Sequence, residues 1–263
     1  MKLGDLKHHV FIYYLHDKEH KDFRAICAGS IIAEDRVLTS AHCFFTNRKR
    51  YRRSLKDVRV IAGILTTHVQ QPIADEIQQW RTIRHIYTQK FFHFPAYNLA
   101  VVEINQSWNF NEFVNKIPYA SVNQELEGAC ILTAVKHLDD WSTNKNLFTE
   151  ETCLIKRWTC QCMLLQSCRQ YYCTQYDPSR KMYTEIEGGG LICHGTGDPK
   201  EKGEGIVVGV TSLINVGLPS LHNRVGLYHK WITDRGSGLS LEKFMFHLCF
   251  GLILVSNKVV FYA

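Results

Sequence analysis

The chain has 263 residues, of which 45% are hydrophobic and 21% charged, with a formal net charge of +6 and ten cysteines. That length buries a sizeable core in one large domain or two small ones. A charge of this size, with no Lys/Arg stripe recurring at helical spacing, excludes the electrostatic signature of a nucleic-acid binder.

Short apolar runs bounded by turn residues recur along the chain, and each predicts a strand. In order they are HVFIYYL from His9, AGSIIA from Ala28, RVLTS from Arg36, VRVIAGI from Val58, NLAVVEI from Asn98, ACILTAV from Ala129, GLICHG from Gly190 and GIVVGVTSLI from Gly205. This spacing is that of an all-β sandwich or barrel protein. A polar, Pro-bearing stretch separates two halves of similar strand content, so the expected organisation is a β-domain over 1–109, a linker over 110–123 and a second β-domain over 124–235. Helical signal is read only in RVGLYHKWITDRG, where Val225, Tyr228 or His229, and Ile232 share a face and Gly236 follows as a stop.

The two ends raise questions of targeting. The apolar run Val10 to Leu15 is too short for a secretory h-region, so the expectation is a start upstream of Met1 or an incomplete gene model. Residues 236–263 form an apolar extension whose longest run, Phe244 to Val255, is short for a spanning helix. Small residues at Gly236, Ser237 and Gly238 resemble the start of a lipid-anchor signal, but the polar spacer after them is shorter than such signals use, and membrane anchorage is not the expectation. The cysteines fit no zinc spacing, since Cys160 and Cys162 lie too close and no two-Cys, two-His array follows. Disulfides in an oxidising compartment, outside the cell, are the reading adopted.

Five motifs then line up in order: CAGSIIAEDRVLTSAHC, VRVIAG, YNLAVVEI, EIEGGGLIC, and GIVVGVTS followed by RVGLYHKWI. From about His9 to Ile232 the sequence resembles the trypsin/chymotrypsin-like serine proteases, and more narrowly the insect-type homologues that have lost catalytic groups. The resemblance implies two antiparallel six-stranded β-barrels with a short C-terminal helix. It also implies a serine, a histidine that takes its proton, and a buried carboxylate that orients the imidazole. Carried over position by position, the histidine is His42. The carboxylate position falls on Asn98, a change that costs about four orders of magnitude in turnover.

Counting back from Cys193, the serine position falls on Glu187, or on Gly188 if the register shifts by one. Neither offers a hydroxyl or thiol, and loss of the nucleophile alone removes on the order of 10⁶ in rate. Glu185 stands where a glycine helps build the oxyanion hole, and Ile186 where an aspartate receives the amino terminus after activation. No activation sequence is visible upstream. The pocket positions fall on Lys181, Tyr183 and Ile214, side chains expected to fill the pocket, with Lys181 repelling basic substrates.

The resemblance implies disulfides between Cys27 and Cys43 and between Cys130 and Cys193, with Cys168 and Cys173 as a weaker third. Connectivity of Cys153, Cys160, Cys162 and Cys249 stays open. After His42, the cations Arg48, Lys49, Arg50, Arg52 and Arg53 occupy a segment that the family uses as an exposed loop beside the cleft. They are a solvated loop or a site for a polyanion or an acidic protein face. Asn105 opens an Asn-Gln-Ser glycosylation triplet. The function expected is binding without catalysis, as a decoy, a cofactor of an active protease or a ligand, with no metal and no cofactor. The alternatives are a working endopeptidase of the same fold, with Ser40 or Ser212 as the nearest hydroxyls, and a decaying gene product.

Overall fold

Every apolar run named above becomes a strand. In chain order the strands are β1 (His9–Asp17), β2 (Asp22–Ala33), β3 (Arg36–Thr39), β4 (Val58–Ala62), β5 (His68–Gln70), β6 (Gln79–Arg81), β7 (Ile83–Thr88) and β8 (Ala100–Ile104). The second half contributes β9 (Ala129–His137), β10 (Lys145–Ile155), β11 (Tyr171–Thr174), β12 (Tyr183–Glu185), β13 (Gly190–Cys193), β14 (Ile206–Leu213) and β15 (Ser220–Arg224). Among the described residues two α-helices, α1 (Arg157–Leu164) and α2 (His229–Gly236), accompany the strands. The structure, a computed structural model, describes residues 1–70, 77–137, 145–175, 183–185, 187–215 and 217–236. Lys181, Ile186, Cys249 and the extension from Ser237 onward lie outside the described residues.

The architecture is the all-β, chymotrypsin-like one that the sequence leads to expect. In the second sheet the order is β10-β11-β15-β14-β13-β9-β12, and a further β10–β9 pairing closes six of these strands into a barrel. The first sheet has the order β6-β4-β1-β2-β3-β8-β7, with β5 on β2, and curls as a half-barrel. Among the described residues β6 and β7 do not pair. Only Thr82 separates them, and the commonest tight hairpins need two loop residues.

Strand alternation explains how β1 can be apolar on both faces. Val10 and Ile12 enter one core cluster with Val37, Val60 and Val102, whereas Phe11 and Tyr13 enter another with Phe23 and Ile61. Successive side chains point to opposite faces of a strand, and here both faces are covered. A third cluster joins the two sheets, drawing Leu38, Leu99 and Val101 from the first and Leu191, Ile206, Val208 and Val210 from the second. Ile232 and Val225 seal it from the C-terminal side, which accounts for the apolar face read in that segment. A 3-10 turn over Gly226–Tyr228 precedes α2, so the helical stretch begins as a tighter coil than the periodicity suggests.

Helix α1 was not legible as a helix. Of its eight residues only Cys160 is buried, no side chain caps its N-terminus, and Leu165 ends it in the left-handed region at φ 51°. The Cys27–Cys43 and Cys130–Cys193 bridges both form, on either side of the interface between the sheets. The third bridge corrects the sequence reading: Cys173 is bonded to Cys160 and not to Cys168. The reason lies in α1, whose turn carries Cys160 over β11 where Cys173 sits. Cys168 remains a buried thiol, and Cys153 and Cys162 are exposed thiols. No helix among the described residues is long and apolar enough to cross a membrane.

Candidate active site

The strand β3 ends at Thr39, and the chain then turns through a 3-10 segment, Ala41–Cys43, that lifts His42 to the boundary between the two sheets. The Cys27–Cys43 bridge ties this turn back to β2. From the other side, Gly188 N–H donates to Thr211 O at 2.8 Å and Ala28 N–H donates to Glu187 O at 2.9 Å, clamping the segment that carries Glu187 between β14 and β2. Two glycines make this approach possible. Gly188 has φ +82°, and a Cβ there would stand 2.4 Å from both Ala28 O and Thr39 Oγ1; a Cβ on Gly190 would stand 2.7 Å from Ser30 Oγ.

This packing brings three of the sequence-derived site residues together. Glu187 Oε2 lies 2.7 Å from His42 Nε2, and Asn98 Nδ2 lies 2.8 Å from His42 Nδ1. Of the two registers open in the sequence, it is the side chain of Glu187 that reaches the imidazole, since position 188 has no space for one. The orientation of the Asn98 amide follows from its other contacts. His42 backbone N–H donates to Asn98 Oδ1 at 2.9 Å, which leaves the amide nitrogen to donate to His42 Nδ1 and, at 2.8 Å, to Ser212 Oγ.

An amide nitrogen cannot accept, so His42 Nδ1 must, and the ring proton therefore sits on Nε2. Nε2–H donates to the Glu187 carboxylate. In a serine protease Nε2 has to be the acceptor of the serine proton; here it is already a donor. Ser212 Oγ donates onward to Pro95 O at 3.1 Å, and Ser40 Oγ donates to Thr211 O at 2.9 Å. Both serines are fully buried. For the working-endopeptidase alternative, in which Ser40 or Ser212 would attack, neither hydroxyl is free, since each donates to a backbone carbonyl.

The cleft in front of this pair has a volume of about 410 Å³ and is lined by Ile26, the Cys27–Cys43 bridge, Phe94, Arg52 and Arg53. Phe94 packs edge-on against the imidazole at 5.2 Å. His42 is buried, whereas the Glu187 side chain keeps 36% of its surface open to the cleft. Cys27 and Cys43 converge with His42 within 4.8 Å. Their sulfurs are bonded to each other, however, and it is the thiolate that ligates metal.

Residues 4–232 match the family model described as Trypsin. The chain belongs to the trypsin family. Within that family the other expected positions fall as follows. Tyr183 and Glu185 lie on β12, whose backbone pairs with β9 through Tyr183↔Lys136 and Glu185↔Ala134. Ile214 is half-buried just past β14. Lys181 is outside the described residues, so the three pocket positions are not seen together.

The basic loop of this trypsin-family chain is exposed from Asn47 to Ser54. Lys49 Nζ donates to Lys90 O, Arg52 Nε donates to Phe45 O at 3.0 Å, and the Arg53 guanidinium lies 5.3 Å over the Tyr14 ring. Among the described residues none of Arg48, Lys49, Arg50, Arg52 and Arg53 has a carboxylate at ion-pairing distance. Asn105 is exposed in the loop after β8. Sequence reasoning missed the roles of Ser212, Phe94 and Asn223, whose Nδ2 donates to Asn98 O at 3.2 Å. No linear signal marks them, because each acts through a partner more than fifty residues away.

Proposed function

We propose that this trypsin-family chain is a non-catalytic homologue, of the kind found among the insect-type homologues, that acts outside the cell by binding. The observation that carries the reading is the contact of Glu187 Oε2 with His42 Nε2 at 2.7 Å. A carboxylate occupies the ground a nucleophilic hydroxyl needs, and it holds the imidazole as a proton donor. Several disulfides in a trypsin-like domain are typical of extracellular proteins, which supports the compartment. The cations of the loop over 48–53, which have no carboxylate at ion-pairing distance among the described residues and of which Arg52 and Arg53 line the same cleft, favour a polyanion or an acidic protein face as partner.

Covalent labelling tests the reading. The purified chain should take up no phosphonate serine probe, under conditions in which an active family member is labelled fully. Labelling that is abolished by His42→Ala would establish a working endopeptidase and overturn the proposal.

A further inference from the structure

Away from the cleft, three cysteine sulfurs converge in one apolar pocket. Cys160 on α1 is bonded to Cys173 on β11, and Cys168, in the turn between them, places its Sγ 2.7 Å from Cys160 Sγ. All three are buried, against Tyr171 and Leu221. The thiol is thus already in contact with the sulfur it would attack, and all three sulfurs lie within 4.8 Å of one another.

We propose that this trio is a thiol–disulfide exchange site, in which Cys168 attacks Cys160 Sγ and converts the Cys160–Cys173 bridge into Cys160–Cys168. A bond forms between the sulfurs of Cys168 and Cys160, and the bond from Cys160 to Cys173 breaks. The electron pair leaves on Cys173, and the proton given up by Cys168 ends there, so no oxidant or reductant is consumed.

The two isomers are close in closure entropy. One bridge spans a sequence separation of 13 and the other 8, and the cost of closing a loop grows only with the logarithm of its length. The structural consequence is larger. In the first isomer α1 is tied covalently to β11; in the second the tie is confined to α1 and the turn after it, and β11 is held by non-covalent contacts, its hydrogen-bonded pairs with β10 and β15 among them. Burial pushes the Cys168 thiol up to about 11. Tyr171, the titratable neighbour in the cluster, is pushed up to about 12 by burial, with Cys168 and Tyr97 adding to the shift, and stays neutral beside it. Only a small thiolate fraction is present at neutral pH, so exchange is slow there and speeds up about tenfold per pH unit.

The test uses the folded chain with the remaining cysteines outside the bridges and the trio replaced, Cys153→Ser/Cys162→Ser/Cys249→Ser. Samples held at pH 6, 7 and 8 are quenched in acidic denaturant, alkylated, digested without reduction and mapped. The expected result is two linkage isomers, with alkylation on Cys173 in the molecules bridged Cys160–Cys168. Their interconversion should be about tenfold faster for each unit of pH. A further Cys168→Ser change should leave the Cys160–Cys173 linkage alone, and Cys173→Ser should yield Cys160–Cys168. Finding only Cys160–Cys173 with Cys168 alkylated at every pH and time overturns the proposal, whether or not the Cys173→Ser chain folds.

Discussion

Asn98 Nδ2 carries two hydrogens and both have partners, one on His42 Nδ1 and one on Ser212 Oγ. The consequence for chemistry is specific: the nitrogen that would receive a serine proton already bears one. Glu187→Ser should therefore give a chain with little or no phosphonate labelling, even though it restores a hydroxyl beside the imidazole. Adding Asn98→Asp should raise labelling above the single variant, because a carboxylate accepts from Nδ1–H and frees Nε2 to act as base. The combined variant still keeps Glu185 and Ile186, so its labelling should stay well below that of an active enzyme. Strong labelling of Glu187→Ser alone would show that the amide does not control the tautomer.

Between the sheets runs the stretch read as a linker, and it is docked firmly. Ala120 N–H donates to Val207 O at 2.9 Å and Val207 N–H to Pro118 O at 3.0 Å, so the stretch runs beside β14. Asp198 holds it from the other side, accepting from Ser121 N–H, Ser121 Oγ–H, Val122 N–H and Lys200 N–H. Burial works against the charge of Asp198, but these donors outweigh it and keep the carboxyl below its ordinary value. Asp198→Ala should destabilise the chain by about 1–3 kcal/mol, read from urea midpoints, since it leaves part-buried donors without their acceptor. A loss under half a kcal/mol would mean that water replaces the carboxylate.

The basic loop makes its own prediction at this scale. Neutralising Arg50, Arg52 and Arg53 together should move elution from a heparin column to lower salt, because released counterions set the salt dependence of such contacts. An unchanged elution position would return the loop to a solvated role.

At the scale of the molecule, His8, His9 and His222 are buried in the neutral form. Burial pushes His8 down to about 4, His222 to about 3, and His9, with His8 adding to the effect, to about 3. His222 sits between the hydroxyls of Thr174 and Thr211, at 2.8 and 3.1 Å. In the unfolded chain these groups take up protons below about pH 6.5, while in the folded chain they do not until about pH 3–4. Stability is therefore full above pH 6.5 and falls as pH drops from there towards 4, by up to about 1.4 kcal/mol per pH unit for each histidine. Urea midpoints between pH 7 and 4.5 should show this fall, and His222→Gln should make it shallower. A flat profile down to pH 4.5 would contradict the buried neutral state.

The amino-acid order alone dictates the part of the fold that lies in apolar runs. Strands such as HVFIYYL and GIVVGVTSLI have burial as their only stable outcome, and the block around His42 keeps a spacing that a single family uses. The sequence could not reveal the elements whose polar residues are buried by their neighbours. β15, Ser-Leu-His-Asn-Arg, is buried at all five positions, yet nothing local distinguishes it from a loop; Thr174, Thr211, Asn98 and Glu125 supply its partners from other strands and loops. α1 is the converse, a helix in which Cys160 alone is buried and which so lacks a periodic apolar face. The same logic governs the site. The residue types at positions 42, 98 and 187 were legible, but the direction of each hydrogen bond was not. That direction depends on a backbone N–H, an amide and a serine meeting from segments more than fifty residues apart, and only the packed structure decides it.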